Sequence, residues 1–147
     1  MTDRELLSDL WKASWDEGGW VVPFSKAVAD LTPQQAAWKP SPQRKSIWEN
    51  VNHLCFWQEY LLYRLRGGAE RDKAELEAKN FETPVAVEQA AWDATRQRLA
   101  VSHQAILDAM GDSSLPLQRL APLVAHSSYH LGQIMLLRAL QGMPALY

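Results

Sequence analysis

The chain has 147 residues, of which 47% are hydrophobic and 22% charged, with a formal net charge of -2. That length and balance suit one globular domain, residues 1–147, built on a single core. They leave no positive field for nucleic acid, and no Lys/Arg run supplies a phosphate-binding stripe. The stretch from Met1 to Glu5 lacks the apolar core of a signal peptide, and no apolar run is long enough to span a bilayer, so no membrane partner is expected. Cys55 is the one cysteine, which rules out an internal disulfide and points to a reducing compartment, by default the cytoplasm. Seven tryptophans (Trp11, Trp15, Trp20, Trp38, Trp48, Trp57 and Trp92) promise large aromatic walls, in the core or around a pocket.

Strand signals are nearly absent and helical ones abundant. Thr2-Asp3-Arg4-Glu5 has capping-box spacing, and Leu6, Leu7, Leu10, Trp11 and Ala13 or Ser14 continue at helical intervals. The pattern breaks at Gly18-Gly19 and resumes from Pro23 through Phe24, Ala27, Val28 and Leu31. Thr32-Pro33-Gln34-Gln35 starts a short helix that ends before Pro40. Lys39 to Lys45 reads as a loop by its prolines and charges.

Ser46-Ile47-Trp48-Glu49 is the clearest capping box, and a long helix follows it to Arg66, stopped by Gly67-Gly68. Its apolar face runs Ile47, Val51, Leu54, Cys55, Gln58, Leu61, Leu62 and Leu65. Arg71 to Asn80 is charged and reads as a solvated connection or frayed helix. Thr83-Pro84 opens a helix through Val87, Leu99, Ile106 and Met110 that Gly111 ends. The last helix begins between Leu117 and Leu123 and runs to about Gln141, with Pro122 in its first turn or at a kink. The expected fold is all-α: a four-helix bundle with a long crossover connection and a broken first helix.

Within the C-terminal helix, His126 and His130 stand four apart, so both imidazoles leave one face and can converge on one point. A zinc-like ion wants at least three protein ligands. His53, on the Ser46–Arg66 helix, can point inward beside the apolar face and meets the pair if the two helices are neighbours. Three neutral imidazoles and an open position suit Zn²⁺, Ni²⁺ or Fe²⁺. The competing reading is that these are packed core histidines. His103 is expected at the edge of its helix, away from the site. Cys55 lies about 200° around the helix from His53, cannot share an ion with it, and reads as a small core hydrophobe. A zincin needs Glu directly after the first His of its pair, where Ser127 stands. A di-iron carboxylate bundle needs Glu-x-x-His on two helices, and neither C-terminal histidine has it.

Three stretches together resemble the DinB-like superfamily of four-helix metal-binding proteins, which includes the YfiT-like proteins. They are Ser46 to Leu54, the His126-Ser127-Ser128-Tyr129-His130-Leu131-Gly132-Gln133-Ile134 run, and the spacer from Leu31 to Pro40. Set beside another bundle class, the hemerythrin-like di-iron site resembles a five-histidine arrangement, one more than the four His present here. The DinB resemblance implies one divalent metal held by His53, His126 and His130. It also implies chemistry like that of thiol-dependent transferases and isomerases, or of a hydrolase. A low-molecular-weight thiol would then serve as cosubstrate, on a small-molecule substrate, in a chain able to pair as a homodimer. The alternative is a metal-dependent small-molecule-binding or stress-related protein without turnover. Relatives that carry Trp-His-Gly-Pro after the first helix differ here, where the run is Trp20-Val21-Val22-Pro23. Three residues are candidates for the pocket or for support of the ligands. Glu49 is also explained by its cap, Trp57 (with Tyr60) also by core packing, and Gln133 also by an interhelical hydrogen bond.

Overall fold

A computed structural model describes residues 1–17 and 19–146. Among the described residues all regular secondary structure is helical, without strands. Helix α1 (Asp3–Lys12) continues into a π-helical turn, Ala13–Glu17, and is followed by α2 (Phe24–Ala29), α3 (Pro33–Ala37) and α4 (Ile47–Leu65). Beyond these come α5 (Lys73–Lys79), α6 (Gln89–Gly111), α7 (Leu117–Leu120) and α8 (Pro122–Leu140). The expected break at Gly18-Gly19 falls in part on Gly18, outside the described residues; the α-helical ladder has already given way by Ala13.

All three capping boxes form, at Thr2/Glu5, Thr32/Gln35 and Ser46/Glu49, each with the side chain and backbone satisfying one another. Pro122 occupies the first turn of α8, where its missing N–H costs nothing; the turn α7 accounts for the helical signal from Leu117. Helix α4 is central: it packs on α6 and α8, while α6 packs on α1 and α8 on α2. The stretch between α4 and α6, carrying α5, is the long crossover.

The face of α4 read from the sequence is the one that turns inward: Ile47, Val51, Leu54, Cys55, Gln58 and Leu62 are buried. Trp48 packs on Trp92 at 5.0 Å, and their indole N–H groups donate to Thr95 and to the Leu31 carbonyl. Trp11 is equally buried, whereas Trp20 is fully exposed, so the tryptophans do not act as one wall. Arg138 is buried on α8 and reaches across to α2, donating to the Ala27 carbonyl and to both carboxylate oxygens of Asp30.

Three expectations are corrected. The helix expected from Thr83-Pro84 begins at Gln89, and Val85 and Val87 are exposed. Thr83 does not cap a helix, because its hydroxyl donates to the buried Glu49 carboxylate, a stronger charge-assisted bond that draws the crossover onto α4. Leu6 and Leu10 of α1 lie half in solvent, leaving Trp11 as the buried residue of that helix. His103 is not an edge residue but a buried one, stacked on Trp11 at 4.8 Å and on Trp15 at 4.9 Å. Its Nε2–H donates to the Trp11 carbonyl, and Trp11 Nε1–H returns a bond to the His103 carbonyl. It shares the side of α6 that carries Leu99, Ile106 and Met110, and the Trp11 and Trp15 rings cover that side.

Candidate metal centre

Because α4 packs against α8, His53 meets His126 and His130. One ring nitrogen from each lies within 4.8 Å of the other two. His53 Nε2 and His126 Nε2 are 3.0 Å apart, and the three ring centroids are separated by 4.3–5.0 Å. His53 and His130 are buried and His126 half-buried. His103 and Cys55 take no part in the cluster.

Two asparagines set the orientation of the rings. Trp57 Nε1–H, which can only donate, donates a hydrogen bond to Asn80 Oδ1 at 3.1 Å. That oxygen is therefore an acceptor, and His53 must donate to it through Nδ1–H, at 2.6 Å. Asn50 repeats the device: its amide nitrogen donates to the Ser46 carbonyl at 2.8 Å, so its oxygen accepts from His130 Nδ1–H at 2.8 Å. Both histidines are thus held as Nδ1–H tautomers with Nε2 unprotonated. This is the arrangement by which a supporting hydrogen bond fixes a metal-ligating imidazole. His53 Nε2, having no proton, accepts from His126 Nε2–H. The His126 ring can move that proton to its other nitrogen and stay neutral.

Burial holds all three imidazoles below the ordinary histidine range, and for His130 the neighbouring rings add to it, bringing it to about 3. Three imidazolium ions packed this closely would repel one another in a poorly solvated place, so the neutral, ligating form prevails at neutral pH. The residues fit a divalent ion by donor type, protonation and spacing. Two nitrogens on a tetrahedral zinc-like ion stand about 3.3 Å apart, close to the His53–His126 separation.

Phe81 stacks on His53, with centroids 3.9 Å apart and planes within 17°, and it takes a left-handed backbone, φ 50°. A bulky residue seldom adopts that conformation, and it costs about 1–2 kcal/mol. The hydrogen bonds on either side hold it: Asn80 to His53, the Glu82 carbonyl to Asn52, and Thr83 to Glu49.

Glu49 binds no histidine. Its carboxylate accepts from the Ser46 amide, Lys39 and Thr83. Burial pushes its carboxyl up, and those three donors together outweigh it and hold it below the usual range. Trp57 is edge-on to His53 at 6.4 Å and reaches it through Asn80. Gln133 makes no interhelical hydrogen bond among the described residues; it lines, with Asn50, Phe81, Tyr129 and His130, a cleft of about 530 Å³. Tyr60 stacks with Phe56 and Tyr63 and accepts from the Arg71 amide, clear of the cluster. Cys55 is buried and its thiol is pushed up to about 12. No motif in the sequence marks Asn50, Asn80 or Phe81. The one available signal was an Asn-Phe pair closing an otherwise charged stretch.

Fold and cluster together define a helical protein with three histidines grouped closely enough to hold a metal ion. A family model of the DinB superfamily matches residues 23–134, and the chain belongs to that superfamily. The matched range holds all three histidines and both asparagines. No curated protein and no solved structure matches the chain. Among the described residues, no helix is long and apolar enough to cross a membrane.

Proposed function

We propose that His53, His126 and His130 hold one divalent ion of the zinc, nickel or iron type. On this reading the chain is a metal-dependent enzyme of the thiol S-transferase or hydrolase kind, acting on a small molecule. The observation that carries it is the pair of asparagine-fixed tautomers, which presents two Nε2 lone pairs to one point beside a third imidazole. A core histidine also has its ring N–H satisfied, as His103 does by the Trp11 carbonyl, but here the two bonds leave two unprotonated Nε2 atoms in one cluster. An ion there would acidify a thiol or water at its open position and so supply a nucleophile at neutral pH.

The chain's own residues do the rest. Asn80 and Asn50 keep the Nδ1 protons and hold the rings in place. Phe81 and Trp57 cover His53 from solvent. The cleft beside His130 admits the substrate, with the Gln133 amide and Tyr129 hydroxyl placed to orient it. One observation favours a second reading, metal-dependent binding without turnover. Glu49 is the only buried carboxylate among the described residues, and its cap and ion pair already occupy it, so no carboxylate base stands at the cluster.

The test compares metal-reloaded with chelator-stripped protein on a panel of electrophiles, with and without low-molecular-weight thiols. Turnover by the reloaded protein alone supports the enzyme. Ligand binding that depends on metal, with no product in any combination, supports the second reading. Identical behaviour of the two preparations would sink both.

A further inference from the structure

The cleft next to His130 has a charge character unlike that of the chain as a whole. Its apolar wall is Leu136, Leu137 and Leu140 of α8 with Phe81, and the loop before α4 adds Arg44 and Lys45. Among the described residues no carboxylate lines it, although the chain carries a net charge of -2. Neither Arg44 nor Lys45 has an ion-pair partner among the described residues, whereas Lys39, a few positions earlier, is paired with Glu49. The Lys45 ammonium lies 5.5 Å from the centroid of Phe81, the ring that also stacks on His53. Positive charge therefore extends to within one aromatic ring of the histidine cluster. The Gln133 and Tyr129 side chains make no hydrogen bond among the described residues, which leaves their polar atoms available to a ligand. A concave, mostly apolar site of this volume with a few convergent polar groups is the usual form of a small-molecule pocket.

We propose that this cleft selects small anionic amphiphiles: molecules with a carboxylate- or phosphate-type head held by Arg44 and Lys45, and an apolar body against Leu136, Leu137, Leu140 and Phe81. Two unpaired cations and no acid favour an anion over a neutral or cationic analogue of the same shape, and the leucines reward an alkyl or aryl body. Calling the ligand a substrate rests on the metal-enzyme reading above; the binding preference rests on the cleft alone.

Calorimetric titration of the full chain with octanoate, octyl phosphate, n-octanol and n-octylamine tests it, since the four share one alkyl body and differ in head charge. Both anions should bind about tenfold tighter than octanol, with octylamine weakest, and the preference should shrink as salt is raised. Arg44→Ala/Lys45→Ala should abolish the preference, while Arg119→Ala, an exposed cation remote from the cleft, should leave it intact. Octanoate binding with octyl phosphate excluded, or the reverse, identifies the head group and sustains the proposal. Equal binding of all four, no binding of any, or a preference that survives the double substitution overturns it. Elemental analysis of the same preparations separates the two ideas. Charge-selective binding by a chain that takes up no metal would sustain the cleft and sink the metal centre. A metal-loaded chain blind to head charge would do the opposite.

Discussion

At the scale of single residues, the centre depends on which nitrogen of each histidine carries the proton. That choice belongs to Asn80 and Asn50, and the indole of Trp57 in turn fixes the Asn80 amide. Replacing Asn80 or Asn50 by Ala should therefore weaken zinc binding about 10–100-fold with all three histidines still present, as measured by competition against a chromogenic chelator. Unchanged affinity in both variants would mean that the tautomers are not set this way. The two asparagines were not legible in the sequence. The histidines were, because i, i+4 spacing is a property of the helix itself. The asparagine contacts depend on how the crossover folds back over α4, and no local pattern records that. Cys55 offers a simpler check. Buried and with its thiol pushed up to about 12, it should not react with a disulfide reagent in the native chain and should react stoichiometrically once unfolded. Rapid native labelling would contradict its burial.

At the scale of elements, capping and periodicity were readable and connections were not. Three boxes start α1, α3 and α4 where the spacing of Ser/Thr and Glu/Gln placed them. Thr83-Pro84 carries the same kind of signal, and there it misleads, because the buried Glu49 carboxylate claims the Thr83 hydroxyl. His103 misleads for a related reason: only the aromatic stack from α1 and the π-helical turn after it shows that its face of α6 is covered. The tie between α2 and α8 has a measurable strength. Arg138 is nearly inaccessible, and Asp30, half in solvent, neutralises it. Asp30→Ala strands a buried guanidinium, which for a fully buried pair costs about 3–5 kcal/mol; water reaching the Asp30 side should reduce that to about 2 kcal/mol. Urea unfolding would measure it. Asp30→Ala combined with Arg138→Met should recover most of the loss, and a double variant no better than the single one would show that the charge is not the cause.

At the scale of the whole molecule, acid should weaken the fold in two stages. Burial lowers the histidines, so between their folded values and about 6.5 the unfolded chain binds more protons than the native one. Their contribution is complete above about pH 6.5 and declines as the pH falls below it. Asp30 and Glu49 are also held below their ordinary values, so their contribution is complete above the ordinary carboxylate range and declines as the pH drops through it. Both stages have the same sign. Thermal melts of the stripped protein should show a midpoint at pH 5 below that at pH 7.5, and His103→Phe should reduce the difference; a higher midpoint at pH 5 would contradict the burial of the histidines. The most direct test is metal stoichiometry. Stripped wild type, reloaded with zinc and desalted, should retain one ion per chain by elemental analysis. His53→Ala and His130→Ala, each verified as helical by circular dichroism, should retain none. Equal metal in wild type and variants would contradict a centre built from these three imidazoles.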